Sequence, residues 1–434
     1  MWLEHLKNAW RSLRRSPVLS ALMVGALGLG VGICMTTLTV YHVLTADPIP
    51  GKGDQLYEVQ IDAGNLIGYR PGEEPTFQLT RDDGEALLAA AKAKRQALMT
   101  GAFMAVRGPD ERVPPEILPL RQTSADFFAM FNAPIALGAP WNAQDDQNEA
   151  RVAVLSHELN QRLFGGANSV GQAIHVAGNE LRVVGVLKPW KVDPYVFDLT
   201  LGAYGREEML FMPFSTARAL KLGRAGNMNC WGETGGKSPL ERGTPCAWLQ
   251  YWVELDSPAQ AQDYRNYLLQ YSAEQQKAGR FQRAPNVRLR NVPEVMAFRE
   301  VLPADVRLQT GLAFAFLLVC LVNMVGLQLA KTLRRSGEIG VRRALGARRA
   351  TVFAQFLVES ALIGLLGAGL GLLLALGGLW LVRQGPADYA GLARLDTAML
   401  GITLGLSLLA SLLAGVLPAW RATQLNPAIQ LKVQ

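Results

Sequence analysis

Residues 232–238, Gly-Glu-Thr-Gly-Gly-Lys-Ser, end like a phosphate-binding loop, which would hold a nucleoside triphosphate. The spacing fails. Such a loop needs Gly, four residues, then Gly-Lys-Ser, so that successive backbone amides wrap the phosphates. Counting back from Gly236 puts Trp231 where the first glycine should stand, and no apolar strand precedes it. Cys230 and Cys246 flank the same stretch. In an oxidising compartment a bridge between them would add about 3 kcal/mol by restricting the unfolded chain. Two free thiols are the alternative; we expect the bridge. His5, His42, His157 and His175 stand singly, with no HExxH spacing and no GxSxG elbow. Four scattered cysteines make no metal framework. That leaves Gln355 and Glu359, four apart on one helical face inside an apolar tract. A carboxylate there is costly unless it faces protein. Glu359 either pairs with the arginines before it at the membrane edge or transfers a proton.

The elements that position these residues follow from the apolar tracts. Residues 18–44, 310–329 and 398–420 are uncharged, and 353–382 carries only Glu359. Each reaches the roughly 20 residues a helix needs to cross about 30 Å of hydrocarbon. We therefore expect an α-helical membrane protein with four transmembrane helices, arranged one plus three, and a large mixed α+β extracytoplasmic domain between the first and second. Lys and Arg set the orientation. Residues 1–17 carry Lys7, Arg11, Arg14 and Arg15 against Glu4. Residues 331–349 carry Lys331, Arg334, Arg335, Arg342, Arg343, Arg348 and Arg349 against Glu338. Both termini and this loop are expected in the cytosol. The formal net charge of +7 is then a topological excess, and nucleic-acid binding is not implied.

The expected segments are 1–17, an interfacial amphipathic helix or a basic flank; spans 18–44, 309–330, 353–382 and 398–420; the domain 45–308; a cytosolic loop 331–352; a short outer loop 383–397; and a tail 421–434. The first tract is too long for a signal-peptide core, and Ala46-Asp47-Pro48 makes a poor cleavage site. In residues 1–17, Trp2, Leu3, Leu6, Trp10 and Leu13 are expected on one face. In the domain, 54–61 alternates like a strand, 151–155 and 181–187 are short β-branched runs, and 80–93 and 259–271 have helical spacing, the first behind a capping Thr80. Residues 221–246 read as an extended loop. Gly28/Gly32, Gly367/Gly371 and Gly401/Gly405 each place two glycines on one helical face, for close approach within a subunit or between two.

From charge alone, the arginine-rich stretch after the second span reads as a topological anchor. Its sequence says more. GEIGVRRALGARRATVFAQFLVES, residues 337–360, closely resembles the signature after the second span of the FtsX/MacB permease family. ARVAVLSHELNQRLFGGANSVGQAIHVAGNELRVVGVLK (150–188) resembles that family's outer domain, and LPAWRATQLNPAIQLK (417–432) its final motif. TSADFFAMFNAPIALGAPW (123–141) resembles a strand-to-helix segment of the outer domain, but departs from the family's turn at Gly138-Ala139-Pro140-Trp141. The likeness covers nearly the whole chain.

The resemblance implies a permease subunit of an ABC transporter. With no Walker A and no LSGGQ-like signature, a separate cytosolic ATPase dimer is expected to carry the ATP and Mg, and this chain to hold no cofactor or metal. The family pattern adds a second permease subunit, identical or homologous, and in some members a periplasmic adaptor and an outer-membrane channel. Its outer domains are moved by the nucleotide cycle, which is mechanotransmission. On this pattern the ATPase-coupling residues are Glu338, Ile339, Gly340, Arg342, Arg343, Leu345, Gly346 and Ala347; Glu338 to Leu345 are expected to form a short helix ended by Gly346, with Ile339, Arg342, Arg343 and Leu345 near one side. Residues 418–427 would add a weaker contact. The implied setting is a bacterial inner membrane with the domain in the periplasm, driving export or extraction. The alternatives are a membrane-anchored sensor or scaffold, and an enzyme of the outer domain.

Overall fold

The computed structural model describes residues 2–110, 112–204, 207–386, 389–395 and 397–424. The chain divides into two compact units, Asp47–Val301 and the remainder, Met1–Ala46 with Leu302–Gln434.

The second of these holds four helices long and apolar enough to cross a membrane: Pro17–Thr45, Ala304–Arg334, Arg349–Arg383 and Thr397–Thr423. A further helix, Trp2–Arg15, precedes them, and Ser336–Ala344 joins the second span to the third. Glycine sets how closely the first and third spans approach. A Cβ on Gly32 would lie 3.1 Å from the Gly371 carbonyl, and one on Gly371 would lie 3.2 Å from the Gly28 carbonyl. A Cβ on Gly367 would collide with Leu27 at 2.7 Å. Two of the three glycine pairs thus pack within this chain, while Gly401 and Gly405 meet nothing within 4 Å. The third and fourth spans are joined by serines that donate to backbone carbonyls, Ser407 to Gly364 at 2.9 Å and Ser411 to Ser360 at 2.8 Å. In hydrocarbon, small residues and hydroxyls of this kind replace the hydrophobic drive.

The inserted unit is built on a twelve-stranded sheet. Its main path runs Val287–Asn291, Leu56–Ile61, Cys246–Glu254, Arg95–Arg107, Glu116–Thr123, Leu210–Pro213, Val152–Leu155, Asn179–Leu187 and Ile135–Gly138. Among the described strands, only Glu116–Thr123 with Leu210–Pro213 and Val152–Leu155 with Asn179–Leu187 pair parallel. Cys246–Glu254 is buried along its whole length, as a strand covered on both faces must be. Helix Arg81–Ala90 starts where Thr80 accepts the Asp83 amide and stops at Ala91, which is left-handed at φ 49°. Helix Pro258–Lys277 is capped by Ser257 and outruns its expected 259–271. The strand expected from 54 begins at Leu56, because Asp54 lies in a turn.

Residues 138–141 also find an explanation. Gly138 has φ +68°, and a Cβ there would sit 2.1 Å from the Val184 carbonyl, so no other residue fits. Trp141 is buried edge-on against Phe128 at 4.9 Å and donates its indole N–H to Asp146 at 2.9 Å. Beneath, Phe127 packs on Phe131, Phe197 and Phe211. The expected 221–246 loop needs one correction. Asn229–Cys230 forms a short strand on Ala247 and Cys246, and the cysteine sulfurs of this register pair are bonded.

Candidate functional site

The third span starts at Arg349 because Gly346, at φ +98°, turns the chain out of the short helix before it. That helix, Ser336–Ala344, has one docked side and one open side. Ile339, 6% exposed, packs with Val352 of the third span and Ala422 of the fourth. Gly340 is buried beside it. Arg343 donates to the Thr423 carbonyl at 3.0 Å, and Arg342 donates to Gln355 at 3.2 Å and to Glu338 at 2.7 Å. Leu345 is 83% exposed, with Val341, Arg342, Gly346, Arg348 and Arg349 also open to solvent and Ala347 half-buried. Placing Ile339 and Leu345 near one side is therefore incorrect. Six residues are about one and two-thirds helical turns, which carries the second well round the axis from the first. The open side that results is basic and partly apolar.

Glu338 ties this helix inward. Burial alone would raise its carboxyl, but Arg335, by charge and hydrogen bond, with Arg342 and Arg15, holds it below the usual carboxylate range. Arg335 reaches Glu338 at 3.3 Å on one side and Glu359 at 3.5 Å on the other. Glu359 is 5% exposed and lies 2.5 Å from the Lys331 ammonium. Ser12 of the first helix completes the cluster, donating to Glu359 at 2.7 Å and accepting from Arg335 at 2.6 Å. Lys331 also donates to Ser20 at 3.4 Å. A continuous polar path thus runs from the exposed Arg342 through Glu338 and Arg335 to Glu359, and meets the first helix at Ser12 and the first three spans at Ser20, Lys331 and Glu359. Each charge has an opposite partner, the condition for charges to sit in an apolar bundle.

Glu359 does pair with an arginine before it, Arg335, but Lys331 of the second span is nearer. Gln355 meets the same path through Arg342. Sequence reasoning missed Ser12 and Lys331 as members, since nothing local in the sequence brings them to Glu359. The apolar face expected of residues 1–17 is split. Leu13 and Ala9 are buried, whereas Leu6 and Trp10 are exposed. The side chains of Trp2 and Leu3, and residues 425–434 with the last three positions of the 418–427 contact, lie outside the described residues. The 232–238 stretch is a run of turns; Gly235 and Gly236 take φ +63° and +80°, and no helix starts behind them to receive a phosphate.

A family model described as the MacB-like periplasmic core domain matches residues 20–271, and one described as the FtsX-like permease C-terminal matches 310–427. This chain belongs to the FtsX/MacB-type permease family. The unit between the first and second spans is its periplasmic domain, and the chain is a multi-pass membrane protein. The macrolide export ATP-binding/permease protein MacB of Azoarcus sp. (strain BH72) is 25% identical over 99% of this chain. The pyoverdine export ATP-binding/permease protein PvdT of Pseudomonas aeruginosa is 24% identical over 100% of it. This chain spans 59% of the length of each of these two relatives. A probable syringafactin export protein, SyfD of Pseudomonas syringae pv. tomato, is 29% identical over 71% of this chain and 41% of its own. Among solved structures, the periplasmic region of MacB from Actinobacillus actinomycetemcomitans aligns over 59% of this chain and 97% of that one, at 15% identity and a TM-score of 0.37.

Proposed function

We propose that this chain is the permease subunit of an ABC exporter and that Ser336–Ala344 with Gly346 and Ala347 is its coupling element. An ATPase dimer on the cytosolic side grips the open side of this helix through Arg342, Leu345 and the neighbouring arginines. Its motion passes inward through Ile339, Arg343 and the Glu338–Arg335–Glu359 path to the first three spans, and from the spans to the periplasmic domain. The observation that carries this reading is the two-sidedness of the helix: an exposed basic and apolar surface wired on its back to a buried ion-pair cluster. A simple topological anchor needs the charges but not the wiring.

ATP and Mg belong to the ATPase partner in this scheme, and the chain works beside a second permease subunit. The basic ends of the spans support a bacterial inner-membrane setting with both termini in the cytosol, where the arginines would also meet anionic lipid. The relatives named for macrolide, pyoverdine and syringafactin export support an export or extraction role, with a periplasmic adaptor and outer-membrane channel as further partners. The test is purification of the tagged full chain from native membranes in mild detergent, followed by mass spectrometry. A stoichiometric ATPase among its partners supports the assignment. Its absence, even with nucleotide trapped and crosslinker added, moves the reading to a membrane-anchored sensor or scaffold.

A further inference from the structure

Ser12 ties only the inner side of the first helix, Trp2–Arg15, to the ion-pair cluster. Ala9 and Leu13 are buried on the same side, and Ser20 of the first span donates to the Leu13 carbonyl at 3.1 Å. Leu6, Lys7, Trp10, Arg11 and Arg14 lie three and four apart, so they share the other side, and all five are exposed. The helix is therefore pinned from behind with its outer face open. A face held in this way is pre-organised, and little ordering opposes docking.

That face is basic and not neutralised. Among the described residues, Lys7, Arg11 and Arg14 have no carboxylate partner, whereas the neighbouring Arg15 reaches Glu338 at 3.8 Å. The Arg14 guanidinium lies over the Trp10 ring, 5.3 Å from its centre. Leu6 and Trp10 set apolar surface among the cations. The boundary between headgroups and acyl chains suits both kinds of side chain. Apolar groups dip into it, and long cationic stems reach back to phosphate. The position agrees. Only Ser16 separates this helix from Pro17, where the first span starts, and Val18 and Leu22 are exposed just beyond, where a span meets lipid.

We propose that the outer face of Trp2–Arg15 docks anionic phospholipid, with Lys7, Arg11 and Arg14 on the phosphate and Leu6 and Trp10 among the first acyl carbons. A zwitterionic headgroup offers the same phosphate but adds a cation that these three residues repel, so the face selects lipid of net negative charge. The contact rests on the membrane setting and needs no ATPase. Its failure leaves the coupling role untouched, and failure of the coupling role leaves it standing.

The experiment is fluorescence quenching of the full chain in lipid nanodiscs, with a bimane attached at Leu6→Cys. Cys34 and Cys320 are buried and Cys230 is bonded to Cys246, so the label goes to one place. The nanodiscs hold the same minor fraction of brominated phosphatidylglycerol or of brominated phosphatidylcholine in unbrominated phosphatidylcholine. Phosphatidylglycerol quenches about twofold more. Arg11→Gln/Arg14→Gln makes the two quenchers equal with the thermal midpoint unchanged, since both side chains are exposed. High salt also makes them equal, by screening. Equal quenching in the chain that keeps both arginines, the result expected if an acidic protein covers this face, overturns the proposal. A preference that survives the double variant overturns it as well.

Discussion

Lys331 and Glu359 form a contact of 2.5 Å between the second and third spans, with each side chain less than a tenth exposed. In an apolar bundle such a pair costs desolvation and returns Coulomb energy, and the balance shows only when one partner is removed. Glu359→Met leaves Lys331 uncompensated, removes one of Arg335's two carboxylate partners, and costs about 3 kcal/mol. The double variant Lys331→Met/Glu359→Met recovers most of that loss. Thermal unfolding of the full chain in detergent, run as a double-mutant cycle, checks the sign; additive losses would show that the pair does not act as a unit.

Glycine packing gives a sharper contrast. Gly371→Leu pushes side-chain atoms into the Gly28 carbonyl and Val31, and lowers stability by about 1–3 kcal/mol. Gly401→Leu places its Cβ in open space among the described residues and leaves stability unchanged. The two midpoints measured side by side decide this.

The periplasmic domain carries a pH signature at Glu58. Burial raises its carboxyl to about 7, against the pull of Arg299 and Arg290. Below the unfolded-state value near 4.5 the group is protonated in both states, and its full contribution to stability is present. As pH rises toward 7 the unfolded chain has already released the proton that the folded chain retains, so stability falls, by on the order of 3 kcal/mol in all. Glu58→Gln removes this slope. Denaturation of the wild type and the variant between pH 5 and 8 reads the difference, and parallel curves would sink the assignment.

Leu345 is exposed on the open side of the basic helix and supports no packing. Leu345→Glu therefore keeps the thermal midpoint of the isolated chain and weakens retention of the ATPase on co-purification. A lost midpoint with normal ATPase retention would mean that the residue serves the fold instead.

The spans were legible because uncharged tracts of sufficient length have no other stable place, and the start of one local helix was legible from a single residue, Thr80. The glycine pairs were visible as faces, but which face meets which depends on helix pairing. The same limit hid the cluster at Glu359. Ser12 and Glu359 are 347 positions apart, and no periodicity links them. Ile339 and Leu345 were misplaced for a different reason, since both are apolar and only the neighbouring spans decide which one is covered.

The most direct test of the coupling claim is Arg342→Ala/Arg343→Ala in the full chain, with two lysines added elsewhere in residues 331–349 to keep the positive-inside balance. Membrane orientation, ATPase co-purification and an export-linked phenotype are measured together. The account predicts unchanged orientation with weakened ATPase retention and loss of the phenotype. Unchanged retention together with an unchanged phenotype would contradict it.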